Sequence, residues 1–278
     1  METEKLIKLG SQTLKKYKIN TYRLDSEVLL SNLIGKSREF LIVNPLYKIK
    51  KSQIKDFNKL VFKRGKSKKP IAYIIKKKDF WKSQLHIDKN ALIPRPETEI
   101  LIEKLSQIFK NKRSLILDIG TGSGCIITSL LEELKHSKGV AIDISSKALK
   151  IAKKNAILNK TIDRIKFINV PIDKFYHSKF DLIVSNPPYI ARHQLKNLSE
   201  DIKYFEPKIA LDGGNDGLDV IKKVIYKSKN ILKIRGMLAL EIGNEQIKKV
   251  SKILSSNNFR IKYLIKDFSG NVRCVLSI

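Results

Sequence analysis

Cysteine is nearly absent from this chain. Its 278 residues hold two, Cys125 and Cys274, too few for a disulfide framework or a cysteine-based zinc site. A reducing, cytoplasmic setting is expected. Long apolar runs are missing too. No stretch approaches the ~18 residues of a membrane span, so no membrane partner is expected. Residues 1–17 mix Glu2 and Glu4 with Leu6, Ile7, Leu9 and Leu14. They lack the apolar core and cleavage site of a signal peptide, and the acids argue against a transit peptide. Histidine is scarce. His86, His136, His177 and His193 are scattered without ligand spacing, so they read as surface residues and no metal is expected. Internal repeats and low-complexity tracts are also missing.

Acidic residues are few against the basic ones. The net charge is +29, yet only ten of the 56 cations are Arg. A surplus of this size suggests nucleic-acid binding. Arg is the better bidentate reader of phosphates and bases, so a Lys-dominated surplus equally reads as compositional bias. The distribution says more than the total. Residues 1–85 carry 22 Lys and Arg against 7 Asp and Glu, and residues 86–278 carry 34 against 20. The first third is about twice as dense in positive charge. It is expected to face an acidic partner, protein or RNA.

Apolar spacing over residues 1–66 is helical. Leu6, Leu9, Leu14 and Tyr17 make one stripe; Leu24, Val28, Leu29 and Leu33 make a second, ending at Gly35. The basic run from Lys63 to Pro70 reads as a loop. Residues 71–93 change character. Ile71, Tyr73 and Ile75 alternate, followed by Phe80-Trp81 and by Leu85 and Ile87, which predicts a β-hairpin. The expected domains are thus a helical one over 1–70, a hairpin linker over 71–93, and a third unit over 94–278. In that unit a helix, capped by Thr98 or a nearby polar residue, runs to about Phe109. Strands are expected at 115–119, 140–142, 165–168, 182–184 and 237–242, with helices at 126–134, 148–158, 218–232 and 245–254. Repeated βα units predict an α/β, doubly wound parallel sheet. Two closing strands, near 261–265 and 272–278, suggest a hairpin with one antiparallel member.

Two motifs carry chemistry. The first is Asp118-Ile119-Gly120-Thr121-Gly122-Ser123-Gly124, between the first strand of the sheet and its helix. Its glycines let a ligand approach the backbone closely. The third comes one residue too early for the dinucleotide fingerprint, and the Gly-Lys-Ser/Thr of a phosphate loop is missing. Asp118 would repel a pyrophosphate but not the ammonium of S-adenosylmethionine. Asp143 ends the second strand, 19 residues after Gly124, where a carboxylate can accept both ribose hydroxyls.

The second motif is Asn186-Pro187-Pro188-Tyr189, at the end of the fourth strand. It suits transfer to a planar nitrogen whose lone pair is shared with a π-system. Such a nitrogen needs acceptors for its N–H groups and a flat surface to fix its plane. Asn186 offers a side-chain carbonyl. Pro187 offers a carbonyl on a stiff turn, and Tyr189 can stack. Both motifs fall at the carboxyl edge of the sheet, where such folds bind ligands, so the reading is a methyltransferase.

With these segments together, the chain resembles the bacterial release-factor glutamine methyltransferases over essentially its full length. The likeness rests on Pro94-Arg95-Pro96-Glu97-Thr98-Glu99, the glycine loop, Asp143, Asn186-Pro187-Pro188-Tyr189-Ile190, Phe205-Glu206-Pro207, Gly213-Gly214 with Asp216-Gly217-Leu218, and the stretch Asp267 to Arg273. It implies a Rossmann-like fold using S-adenosylmethionine, with S-adenosylhomocysteine as product. It also implies a helical N-terminal domain that recognises the release factor, and N5-methylation of Gln in a Gly-Gly-Gln loop. In that reading Asp118, Gly120, Thr121, Gly122, Ser123, Gly124, Asp143, Pro171 and Asn186 hold the cofactor. Asn186, Pro187, Pro188 and Tyr189 hold the substrate, and Asn186, Pro187 and Tyr189 serve the chemistry. The family often carries an acidic or Ser-Asp pair near the adenine. Here Asn169-Val170-Pro171 stands instead, and the contact is assigned to Pro171 by position. A monomer is expected. The alternatives are an amino-group methyltransferase of rRNA or DNA, and an RNA-binding protein on a relic methyltransferase fold. The first would need Arg and aromatics for base flipping, but residues 1–66 hold only Arg23, Arg38 and Arg64.

Overall fold

The computed structural model describes residues 1–176 and 179–278. His177 lies outside the described residues. The chain divides into two compact units, residues 1–76 with 199–205, and residues 77–198 with 206–278.

The first unit is helical. Its elements are α1 (Thr3–Lys16), α2 (Tyr22–Ile34), α3 (Arg38–Val43), α4 (Lys51–Ser67) and α5 (Ile71–Ile75). Leu6, Leu14, Leu29, Leu30, Phe57 and Val61 form its buried core. At Gly10 an added Cβ would lie 2.5 Å from Ser26 Oγ and 2.7 Å from the Phe57 ring, so α1 can approach α2 and α4 only without a side chain there. Arg64, on α4, is buried. Its Nε donates to Asp25 Oδ2 at 2.6 Å, and its Nη1 donates to the carbonyls of Lys68 and Lys69 at 2.8 and 3.0 Å. The other two arginines of this region, Arg23 and Arg38, both pair with Glu27, at 3.1 and 2.8 Å.

Two expectations fail here. The run from Lys63, read as a loop, continues α4 to Ser67, with Arg64 and Gly65 buried. Residues 71–75 are the helix α5, not the start of a hairpin. Over five residues the alternation of Ile71, Tyr73 and Ile75 fits both periods. Contacts with α2 and α4 select the helix, and Lys76, in the left-handed region, ends it.

The second unit opens with the hairpin β1 (Lys77–Phe80) and β2 (Ser83–His86), then α6 (Glu99–Phe109). Alternation follows: β3 (Leu115–Ile119), α7 (Cys125–Glu133), β4 (Lys138–Asp143), α8 (Ser146–Leu158), β5 (Ile165–Asn169) and β6 (Phe180–Ser185). The short α9 (Glu200–Phe205) groups with the first unit. The rest is α10 (Asp219–Ile231), β7 (Leu232–Glu241), α11 (Ile247–Ser256), β8 (Ile261–Lys266) and β9 (Val272–Ser277). Seven strands form one sheet in the order β5-β4-β3-β6-β7-β9-β8. The first five are parallel, and β9 runs antiparallel to both β7 and β8.

Side chains alternate across this sheet. Leu117, Ile119, Val140, Ile142 and Leu240 pack with Ile221, Val224 and Ile225 of α10 and with Val250 and Leu254 of α11. Gly139 faces the other way, toward Ile127 and Leu131 of α7. Helices therefore cover both faces, as the alternating pattern predicted. The chain winds outward from β3 through β4 to β5, then returns to β6. The switch between β3 and β6 leaves a crevice at their carboxyl ends.

Candidate functional site

The glycine loop leaves β3 with three residues in the left-handed region, Gly120, Gly122 and Gly124, at φ 70°, 57° and 76°. They serve different ends. A Cβ on Gly120 would meet nothing within 4 Å, so that stretch of backbone faces open space. A Cβ on Gly124 would lie 3.0 Å from both Cα and Cβ of Ala152, so the third glycine lets α7 start against α8. This packing explains its early place. Asp118 lies beneath the loop, 1% exposed. Its Oδ2 accepts the Thr121 hydroxyl at 2.7 Å. Oδ1 has no partner in hydrogen-bonding geometry among the described residues; after the Thr121 hydroxyl, the Ile127 amide at the start of α7 also favours the ionised form. Burial pushes the carboxyl up to about 7, against these pulls.

Asp143 ends β4 facing the same loop. Its Oδ2 accepts the Gly122 N–H at 2.9 Å and its Oδ1 accepts the Ser145 N–H at 2.8 Å. Burial raises its pKa despite both bonds. Each oxygen keeps a further lone pair for a ligand hydroxyl. Asn169 has a role that sequence reasoning missed. Its Nδ2 donates to the carbonyls of Asp143 and Ile144, at 2.8 and 3.0 Å, so it pins the end of β4. Ile144, 57% exposed, offers an apolar surface beside that carboxylate.

Asn186-Pro187-Pro188-Tyr189 follows β6 and is braced from behind. The Ile190 N–H donates to the Leu211 carbonyl at 3.1 Å, and the Gly213 N–H to the Ile190 carbonyl at 2.9 Å. A Cβ on Gly213 would meet the Pro188 carbonyl at 2.7 Å, and one on Gly217 the Tyr189 carbonyl at 2.4 Å. The Gly213-Gly214 and Asp216-Gly217 segment is thus a close-packed support for the turn. Gln246 adds to it, donating from Nε2 to the Tyr189 carbonyl at 3.1 Å. Burial pushes the Tyr189 hydroxyl up to about 12, so it stays protonated.

The Pro94 to Glu99 segment joins the same place. Thr98 does not cap α6 with its side chain. Its hydroxyl instead donates to Glu241 Oε2 at 2.6 Å, and the Asn186 Nδ2 donates to the Thr98 oxygen at 3.4 Å. Glu241, at the end of β7, is 1% exposed. Burial pushes it up to about 7, against the hydrogen bonds from Thr98 and Asn186 and the attraction of Arg273. Arg95 pairs with buried Glu206 at 2.6 Å, which ties the segment to Phe205-Glu206-Pro207.

These elements enclose a cavity of about 300 Å³, at the small end of ligand sites. Gly120, Gly122, Asp143, Pro171, Asn186 and Pro188 all border it. Asp118, Thr121, Ser123, Gly124, Pro187 and Tyr189 lie outside its wall, in the framework around it. The wall also includes Leu92, Ile144, Ile172 and Ile209, which no motif marked. Leu92 follows the hairpin, whose end is fixed by Asn155. That buried side chain accepts the His86 N–H at 2.7 Å and donates to the carbonyls of His86 and Ser123 at 3.0 and 2.8 Å. His86 is half-buried, a correction to the surface reading, whereas His136 and His193 are exposed. No metal-binding cluster occurs among the described residues. Nor is any described helix long and apolar enough to cross a membrane.

Residues 95–202 match the methyltransferase small domain family, and residues 5–75 match the PrmC N-terminal domain family. A release factor glutamine methyltransferase of Clostridium acetobutylicum is 39% identical, over 98% of this chain and 96% of its own. One from Buchnera aphidicola is 40% identical over 90% of both chains. Among solved structures, the ribosomal protein L11 methylase of Lactobacillus delbrueckii aligns with a TM-score of 0.51 at 20% identity, covering 72% of this chain and 87% of that one. A methyltransferase from Pyrococcus furiosus aligns with a TM-score of 0.53 at 17% identity, covering 69% and 87%. These two likenesses concern the fold.

Proposed function

The chain belongs to the release factor glutamine methyltransferase family, and on that premise we propose how its residues divide the work of N5-methylating the Gln of a release factor's Gly-Gly-Gln loop. The donor is S-adenosylmethionine. The cavity suits it: open backbone at Gly120, Asp143 for ribose hydroxyls, and apolar Ile144 and Pro171 for a flat heterocycle, with the buried Asp118 carboxyl behind the glycine loop to attract an ammonium. When bound, it supplies a methyl on a sulfonium, so that N–C bond formation, C–S cleavage and loss of one amide proton to water balance the transfer.

The protein's own part is alignment. Asn186 Oδ1 and the Pro187 carbonyl each accept one N–H of the substrate amide, which fixes its plane and its distance from the donor. Holding two reacting atoms ~3–3.5 Å apart supplies ~7–11 kcal/mol. The same two oxygens stabilise positive charge developing on nitrogen, and Tyr189 supports the amide plane. A strong base is unnecessary, because the methylated cationic amide is itself very acidic.

Residues 1–76 act in this reading as the recognition unit for the release factor. All three arginines of residues 1–66 sit in ion pairs with Asp25 or Glu27. The remaining positive surface is lysine, a point charge that suits general attraction to an acidic protein better than base readout.

The observation that carries the reading is the place of Asn186 on the wall of the cavity that Gly120, Gly122 and Asp143 also line. Asn186→Ala is expected to lose ~2.7–4 kcal/mol of transition-state stabilisation, with cofactor affinity held within about tenfold. Single-turnover rates and calorimetry measure the two quantities. A variant that turns over at the wild-type rate refutes the assignment.

A further inference from the structure

We infer that Glu241, acting through Thr98, is a positioning residue that sets which end of the Asn186 amide faces the cleft. The inference rests on the role proposed for Asn186. An amide side chain has two faces of opposite character, an acceptor oxygen and a donor NH2. Only the oxygen can receive the N–H of a substrate amide. Turned the other way, Asn186 would present N–H groups to N–H groups.

Proton counting decides between the two. The Thr98 hydroxyl has one proton, and it goes to Glu241 Oε2 at 2.6 Å. Toward Asn186 the Thr98 oxygen can therefore only accept, and it does so from Nδ2 at 3.4 Å. The Asn186 side chain also lowers the Glu241 pKa, as an NH2 end turned toward it does, and the ionised form of Glu241, which these partners favour, can only accept. Both neighbours thus demand the NH2 end, which leaves Oδ1 for the cleft. The three residues come together by register. Ser185 of β6 lies opposite Leu240 of β7, so Asn186 and Glu241 are the next pair along adjacent parallel strands. Thr98 and Glu241 are each 1% exposed, so water does not compete for these bonds.

Glu241 has the marks of a retained functional group. A buried carboxylate is expensive to keep; Gln would fit its space without the charge. Gln is also ambiguous, because its own NH2 can donate to Thr98 or Asn186 and release the constraint. Outer partners that orient functional side chains commonly change activity by about 10- to 100-fold when altered.

The test compares Glu241→Gln, Thr98→Val, Thr98→Ser and Asn186→Ala in the full-length enzyme. Single-turnover rate, release-factor KM, cofactor Kd and Tm are measured for each. The inference expects Glu241→Gln and Thr98→Val to lower the rate by about 10- to 100-fold, with cofactor Kd and KM little changed. Thr98→Ser keeps the hydroxyl and should stay near wild type. On an Asn186→Ala background, Glu241→Gln should add no further loss. Equal rates for Thr98→Val and Thr98→Ser overturn the inference even if Glu241→Gln fails to fold. So does a wild-type rate for Glu241→Gln, provided that Asn186→Ala is impaired. If Asn186→Ala itself turns over normally, the underlying reading of the site fails instead.

Discussion

Asp118 and Asp143 show how one type of side chain takes two roles in one cleft. Asp143 is held by two backbone N–H groups and remains reachable from the cavity. Asp118 is sealed beneath the loop with one oxygen unpartnered. Removing the first should act on cofactor affinity. Asp143→Ala is expected to cost about 1.5–3 kcal/mol of binding, with a smaller effect on rate at saturation. Isothermal calorimetry checks this, and an unchanged Kd would take Asp143 out of the site. The second residue should report on protons. Its pKa stands near 7 without cofactor, so at pH 6 it is mostly protonated. A cationic ammonium favours the ionised form and lowers that pKa. Binding of S-adenosylmethionine at pH 6 should then release a proton, and affinity should rise with pH until it levels off above about 7. Calorimetry in buffers of different ionisation enthalpy measures the release. Asp118→Asn should abolish it, and persistence in that variant would assign the proton to another group.

The glycine loop is the element whose sequence and geometry agree most closely. Its three positive φ values separate a ligand-facing glycine from a packing one. Gly124→Ala forces a Cβ to 3.0 Å from Ala152 in addition to left-handed strain. Strain of about 1–2 kcal/mol and overpacking of about 1–3 kcal/mol should both appear in urea denaturation. Gly120→Ala, with open space around it, should show only the strain, and should weaken cofactor binding more. Equal loss of stability in both variants would contradict this division. The loop and Asn186-Pro187-Pro188-Tyr189 were legible because each is a short local pattern at the end of a strand. So was the run of strands and helices after residue 114. The link from Thr98 to Glu241 was not legible, because it spans 143 residues of sequence. Thr98 read as a helix cap from local chemistry, and the actual partner became visible only through the register of β7 beside β6. Asn169 was obscured for the same reason. The sequence reading assigned the adenine contact to Pro171 and gave Asn169 no role, whereas the Asn169 side chain holds the end of the adjacent strand.

For the molecule as a whole, residues 5–75 match the PrmC N-terminal domain family and residues 95–202 the methyltransferase small domain family. A surplus of 29 positive charges would attract RNA and DNA as readily as an acidic protein surface. Charge alone therefore does not select the substrate. In the proposed reading the selection lies in a cleft that holds a planar amide and in a basic unit whose arginines are committed internally. The most direct measurement offers the purified enzyme and labelled S-adenosylmethionine three acceptors in parallel: an intact release factor, ribosomal RNA and duplex DNA. Mass spectrometry then maps the label. The account predicts label in the release factor alone, on the Gln of its Gly-Gly-Gln loop, and none with Asn186→Ala. Label in either nucleic acid, with the release factor unmodified, would contradict it.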